Sequence, residues 1–229
     1  MIKNLVYSII VVSVLRFNAH ASSVVWGATE DNGFSQSNAA ELPIGNLVRL
    51  GNFSLTNGQI QAFFSVGDIG SLNFNFVEVA TAKIGDGGLN APSNLAVTST
   101  TDTSAVAGLQ MYYWVYAATN NTSNATSMST AFEMGIFYQD KAANSSWAFP
   151  VQTPVPGSTT VDITQMTNVN ANELVAGANV VIGSFPKGTS TVGLAPNFGL
   201  APVVPEPTSA ALVLVGLVSL ASRRRRQAK

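Results

Sequence analysis

The chain has 229 residues, no cysteine and only one histidine, His20. Without cysteine it can form no disulfide, no thiolate nucleophile, no iron–sulfur cluster and no cysteine zinc site. His20 lies in a segment that we predict to be removed, so the remaining chain has no imidazole for a Ser-His-Asp or Cys-His mechanism or for a usual zinc site. These absences leave carboxylate chemistry, calcium binding or no chemistry.

Basic side chains are scarce in the body of the chain. Residues 22–202 hold eleven acidic and four basic residues, a formal charge of 4 − 11 = −7 that the whole-chain value of −1 conceals. A surface that binds nucleic acid needs lysine and arginine to replace the phosphate counterions. We therefore expect no nucleic-acid partner. The four basic residues are Arg49, Lys83, Lys141 and Lys187.

The first 21 residues have the pattern of a signal peptide. A short basic start containing Lys3 precedes an apolar run over residues 5–15, and Ala19 and Ala21 supply the small-x-small motif that signal peptidase recognises. A run of eleven residues is too short to cross about 30 Å of hydrocarbon. We therefore expect signal peptidase to cut after Ala21 and the chain to be exported through the inner membrane.

Residues 203–229 have a second pattern, made of three elements in order. Pro205-Glu206-Pro207 predicts a stiff, extended segment. The uncharged run that follows, with its polar flanks over residues 208–222, would form a helix of about 22 Å, enough for a marginal membrane span. A basic cluster then predicts a cytoplasmic end by the positive-inside rule. The cluster consists of Arg223, Arg224, Arg225 and Arg226.

These three elements together resemble the PEP-CTERM sorting domain. The resemblance implies recognition by an exosortase, an integral-membrane cysteine protease, and a transient C-terminal anchor. It further implies release or transfer to the cell surface or the extracellular space, often in exopolysaccharide-producing Gram-negative bacteria. The body of the chain also looks like an uncharacterised group of such proteins, through stretches such as residues 23–27, 82–87 and 113–116, which imply no activity.

The body, residues 22–202, is predicted to be one all-β domain. Short apolar runs alternate with turn signals rich in glycine, asparagine and serine, and no long amphipathic segment is present. We expect an antiparallel two-sheet sandwich, of jelly-roll or Ig-like kind. Thr56 is predicted to cap a short helix over Gln59–Ser65, and Asn170 or Asn172 to start a helical turn ending at Gly177. The predicted strands cover residues 23–28, 46–53, 72–79, 95–99, 109–117, 131–139 and 178–185.

Calcium is the one cofactor that the sequence leaves open. The stretches at residues 30–33 and 86–88 offer oxygen ligands on flexible backbone, but neither has the spacing of a twelve-residue calcium loop. Ordinary turns are therefore the favoured interpretation, and no cofactor is predicted. No acidic residue lies in a recognisable catalytic motif, so no catalytic residue is assigned either.

Tyr112, Trp114 and Tyr116 share one face of a predicted strand, because side chains alternate along a strand. Exposed, such a stripe would be a platform for sugar rings. Large apolar residues are usually buried, so the core is the favoured interpretation.

The sequence thus predicts a non-enzymatic surface or matrix protein with a structural or adhesive role in an exopolysaccharide layer. Two alternatives stay open. One is a carbohydrate-binding module that uses exposed aromatic residues, and the other is a glycan hydrolase that uses two carboxylates.

Overall fold

The fold is taken from a computed structural model, which describes residues 22–28, 32–118, 126–151, 157–168, 173–189 and 195–203. The predicted signal peptide lies outside these residues. So does the predicted sorting segment, apart from Val203.

The described residues are mostly β-strands in several sheets, with two α-helices, so the all-β prediction is confirmed. The helices are α1 (Asn57–Ser65) and α2 (Ile69–Phe74). The strands are β1 (Ser22–Ala28), β2 (Phe34–Ser35), β3 (Leu47–Phe53), β4 (Phe76–Lys83), β5 (Leu95–Thr101), β6 (Tyr112–Ala117), β7 (Glu133–Gln139), β8 (Ser158–Asp162), β9 (Thr167–Asn168), β10 (Glu173–Leu174), β11 (Ala178–Ile182), β12 (Phe198–Gly199) and β13 (Ala201–Pro202).

Two sheets organise the domain. The larger has the order β11-β7-β6-β3-β4, and β13 also pairs with β7. The smaller has the order β5-β1-β8, in which β1 runs antiparallel to β5 but parallel to β8. The short strands β2 and β12 are a second parallel pair. The expected antiparallel pairing is therefore found for most strand pairs but is wrong for β1–β8 and β2–β12, and the jelly-roll or Ig-like sandwich class stays a prediction.

The main core lies where the two sheets face each other. Trp26 of β1 and Val161 of β8 belong to the same buried cluster as Leu50, Tyr113 and Phe137 of the large sheet. The Tyr113 hydroxyl accepts a hydrogen bond from the Gly27 amide at 2.9 Å and lies 3.0 Å from the Gly27 carbonyl and 3.1 Å from the Val161 carbonyl. This one side chain thus ties the centre of the large sheet to two strands of the small sheet.

A second core covers the other face of the large sheet. It contains Phe53, Phe76 and Trp114 from the strands, together with Ile60 of α1 and Leu72 of α2. The centre of the large sheet is therefore buried on both faces. That burial explains why β6 is apolar at nearly every position, since neither side of the strand meets water.

Helix α1 confirms the helix predicted after Thr56. The Thr56 hydroxyl accepts from the Gln59 amide at 3.4 Å, and the Gln59 side chain accepts from the Thr56 amide at 2.9 Å. This reciprocal capping box satisfies two amides that would otherwise lack partners at the start of the helix. Ile60 then points into the second core.

Two other local predictions are wrong. The strand expected over residues 72–79 begins as helix α2, because the Asp68 carboxylate accepts from the Ser71 amide and caps a helical turn. The second is the helical turn expected to end at Gly177. In the part of it that is described, Glu173–Leu174 is a strand that pairs with β9. None of the helices in the described part of the chain combines the length and the apolar character needed to cross a membrane.

Candidate functional site

The predicted aromatic platform is not on the surface. Trp114 and Tyr116 are 0% exposed and Tyr112 is 7% exposed. All three side chains point into the second core, where the layer formed by α1 and α2 covers them. A sugar ring cannot stack on a buried face, so the platform interpretation is wrong and the core interpretation is confirmed.

Arg49 lies on the same side of the large sheet, and its guanidinium contacts other side chains of the domain. Its Nε lies 2.5 Å from the Glu78 carboxylate, and its guanidinium carbon lies 5.0 Å from the centre of the Trp114 ring. The guanidinium also donates to the Tyr116 hydroxyl at 2.9 Å and to the Asn73 side chain of α2 at 2.8 Å. These bonds hold the helix layer onto the sheet, so we assign Arg49 a structural role.

The proposed calcium ligands have other partners where they are described. The Asp86 carboxylate accepts from the Lys83 amide at 2.7 Å and closes a turn. The Asn32 side chain is buried, and its oxygen accepts from the Thr167 hydroxyl at 2.6 Å. Glu30-Asp31 lies outside the described residues. Among those that are described, no group of three or more histidine, aspartate or glutamate side chains is placed to hold a metal ion.

Two further carboxylates accept hydrogen bonds that stabilise the fold and are not arranged as catalytic groups. Hydrogen bonds from the Ser71 hydroxyl and amide lower the pKa of Asp68, whereas a general acid needs a raised pKa. Both oxygens of Glu133 accept from Ser37, one from its amide at 2.8 Å and one from its hydroxyl at 2.5 Å. The carboxylates of Asp68 and Glu133 therefore serve as a helix cap and a loop anchor.

The best candidate for a binding surface is the outward side of the small sheet. Because side chains alternate along a strand, Val24 and Trp26 of β1 point into the core while their neighbours point outward. The outward residues of the three strands form what we call the hydroxyl face. Its members are Ser23, Val25, Thr98, Thr100, Ser158 and Thr160.

The register of the sheet places these residues in two transverse rows. Val25 lies between Thr98 and Thr160, and Ser23 lies between Thr100 and Ser158. Neighbouring strands are about 4.8 Å apart, so each row presents three small side chains at nearly regular spacing. All six residues are uncharged. The result is a flat surface of hydroxyl groups around one exposed aliphatic side chain, Val25, which is 37% exposed.

An open groove adjoins the hydroxyl face at Ser158. Its volume is about 380 Å³, and its lining combines serine and threonine hydroxyls with apolar side chains. Lining residues include Ser145, Ser146, Phe149, Ser158 and Thr159.

Sequence reasoning missed this surface because its rows join three segments that are far apart in the chain. The strand β8 is polar and was not predicted. The available signal was the run of consecutive hydroxyl residues in Thr98-Ser99-Thr100 and in Ser158-Thr159-Thr160.

The predicted processing residues cannot be placed. Ala19 and Ala21, the Pro205-Glu206-Pro207 motif and the Arg223–Arg226 cluster lie outside the described residues. Comparison with models of protein families, with curated proteins and with solved structures found no match. The function is therefore inferred from the residues of the chain itself.

Proposed function

We propose that the chain is an exported surface protein, processed by an exosortase, with a non-enzymatic adhesive role in an exopolysaccharide layer. The observation that carries the adhesive role is the hydroxyl face, with its two rows across β5, β1 and β8. The sorting role depends on the sequence pattern of residues 205–226.

The chemistry of the hydroxyl face fits a neutral polysaccharide. Each serine or threonine hydroxyl both donates and accepts, as sugar hydroxyls do, so many alignments of a glycan can be satisfied. Val25 offers methyl groups to the C–H surface of a sugar ring. The six residues of the face are uncharged, with Asp162 following Thr160 on the same side of β8, and the domain as a whole carries a formal −7 and would repel an acidic polymer.

Such contacts are weak one at a time, which suits a matrix component. A hydrogen bond exposed to water contributes about 0.5–1.5 kcal/mol, so a single face binds weakly. A long polysaccharide that meets many copies of the domain gains strength by multivalency. Adhesion of this kind needs no catalytic group.

Affinity electrophoresis tests the adhesive role. The purified protein is expected to be retarded in gels that contain neutral exopolysaccharide. In a Thr98→Glu variant, a solvated carboxylate lies next to Val25 and would have to be desolvated, so we expect the apparent affinity to fall about tenfold or more.

Thr81→Glu is the matched control for this experiment. Thr81 is also an exposed strand threonine, but it lies on β4 opposite Arg49, on the outer side of the large sheet. Both variants change the charge equally, so their mobilities without polysaccharide should agree. Equal retardation of the two variants, or no retardation of the wild type, would refute binding at the hydroxyl face.

The processing half of the proposal has its own test. Intact-mass analysis of protein released from the cell surface is expected to show a chain that starts at Ser22 and ends near Pro205–Pro207. A mature chain that still ends at Lys229 would contradict exosortase processing. It would leave the adhesive role of the hydroxyl face untouched.

A further inference from the structure

The described chain ends at a small apolar surface. The Val203 amide donates to the Phe132 carbonyl at 2.7 Å, directly after β13 pairs with Met134 and Glu133 of β7. Phe132 is 54% exposed and, with Phe74, is one of the two aromatic residues among the exposed large hydrophobic residues of the described chain. Met128 and Val203 are partly buried at the rim of the second core. We call Met128, Phe132 and Val203 the exit surface.

Charge is absent from the exit surface. Residues 126–132 carry no charged side chain. The nearest acid in sequence, Glu133, has both carboxylate oxygens bound by Ser37. In a domain with a formal charge of −7, this stretch is uncharged, with Phe132 as its exposed large apolar side chain.

The exit surface is close to the predicted membrane segment. Thr208, where the predicted apolar helix begins, is five positions after Val203 in the chain. An extended chain advances at most about 3.6 Å per residue, so Thr208 lies within about 18 Å of Val203. Pro205 and Pro207 stiffen this short link. The exit surface therefore cannot move far from the bilayer while the tail is inserted.

We propose that, before the tail is cut, the exit surface rests on the lipid bilayer and Phe132 enters the headgroup layer. Phenylalanine is one of the side chains that interfacial segments bury at the boundary of headgroups and acyl chains, and an acidic domain gains nothing there from electrostatic attraction, so the contact is apolar. This inference rests on the membrane anchor of the proposed function. Contact at Phe132 would hold the Pro205-Glu206-Pro207 segment at the membrane surface, where an integral-membrane protease acts.

Fluorescence quenching by lipid tests the contact. The full chain is reconstituted into vesicles of phosphatidylcholine with brominated acyl chains, in wild-type form and as a Phe132→Trp variant. The wild-type tryptophans Trp26, Trp114 and Trp147 are buried and set the background. The emission that the variant adds to this background is expected to fall by about half, because an interfacial tryptophan meets the upper acyl chains.

Leu109→Trp is the matched control. Leu109 is also exposed, but it lies at the opposite end of β6 from Phe132. Leu109 precedes the start of β6 at Tyr112, whereas the Phe132 amide donates to the carbonyl of Ala117 at its end, and the strand is about 17 Å long. Its added emission should not change with brominated lipid.

Each other outcome overturns the inference. If the chain is bound to vesicles and the Phe132→Trp variant is not quenched, the lipid contact is wrong while the anchor stands. If that variant is shielded from aqueous iodide but not quenched by lipid, protein covers the ring, and the contact is again wrong. If the chain does not bind vesicles at all, the anchor itself fails, and the contact with it.

Discussion

Replacing Trp114 by alanine is expected to lower the free energy of unfolding by about 3–5 kcal/mol. The indole is 0% exposed and lies 5.2 Å from the Phe53 ring and 5.2 Å from the Phe76 ring, measured between ring centres. It also stacks on Tyr116 at 5.3 Å and lies beneath the Arg49 guanidinium. Alanine would leave a cavity at the centre of the second core and remove the aromatic surface that Arg49 covers.

Hardly any of this loss should come from hydrogen bonding. The Trp114 Nε1 is buried without a hydrogen-bond partner, so its removal breaks no bond and relieves an unsatisfied donor. The expected loss is therefore a packing loss. Because domains are stable by only about 5–15 kcal/mol, it would be a large part of the total.

Urea denaturation of the purified wild type and variant measures the effect. Phe74→Ala is the control, because it also truncates a large aromatic side chain, but one that is 89% exposed. A change within about 0.5 kcal/mol is expected for that variant. A Trp114→Ala variant as stable as Phe74→Ala would show that the second core is not packed as described.

Because Trp114 is a core residue, a Trp114→Ala variant cannot test sugar binding separately from folding. Loss of polysaccharide binding by a Trp114→Ala variant would report damage to the core, since the side chain has no exposed surface with which to touch a glycan. The hydroxyl face can be changed at exposed positions such as Thr98 without disturbing either core. Variants there separate binding from folding.

The parts of the fold that the sequence predicted are those where apolar residues dominate a segment. Strands β3, β6, β7 and β11 fall within predicted strands, and β1 and β5 each extend one or two residues beyond a predicted strand. The run around Trp114 was apolar on both sides, and it proved to be the centre of a sheet buried on both faces. Helix α1 was predictable because Thr56 and Gln59 form a local capping box.

The parts that were missed depend on contacts between distant segments. Strand β8 is mostly polar, and it is a strand because β1 pairs with it in parallel, across more than 130 residues of sequence. Residues Ile69–Phe74 form helix α2 because Asp68 caps it, and the apolar run after Asp68 does not by itself determine this helix. The hydroxyl face was missed for the same reason, since its rows exist only when β5, β1 and β8 lie side by side.

The protein is expected to lose stability steeply above pH 10, through three buried tyrosines. Burial raises the pKa of Tyr112 to about 12, with a smaller contribution from Tyr138 and Asp140. Burial also raises the pKa of Tyr113 and of Tyr116. In the unfolded chain each tyrosine titrates near pH 10, so between that pH and its folded pKa the unfolded state binds fewer protons.

The sign of the effect follows from this difference in bound protons. The stability that neutral tyrosines contribute is fully present below about pH 10 and is lost as the pH rises through the folded pKa values. Each tyrosine contributes at most about 1.4 kcal/mol per pH unit, so the three together contribute at most about 4 kcal/mol per pH unit. Urea midpoints measured at intervals from pH 8 to pH 12 would give the slope.

A Tyr113→Phe variant separates this titration from general alkaline damage. At neutral pH the variant is expected to be less stable by about 1–3 kcal/mol, because the Gly27 amide and the Val161 carbonyl lose their partner between the two sheets. Above pH 10 its stability should fall more slowly than that of the wild type. The two slopes should differ by about 1.4 kcal/mol per pH unit, because one titrating group is gone. The two curves should therefore approach each other as the pH rises. If they stay parallel to pH 12, the ionisation of Tyr113 does not drive the loss, and the hydroxyl is not held neutral by its burial between the sheets.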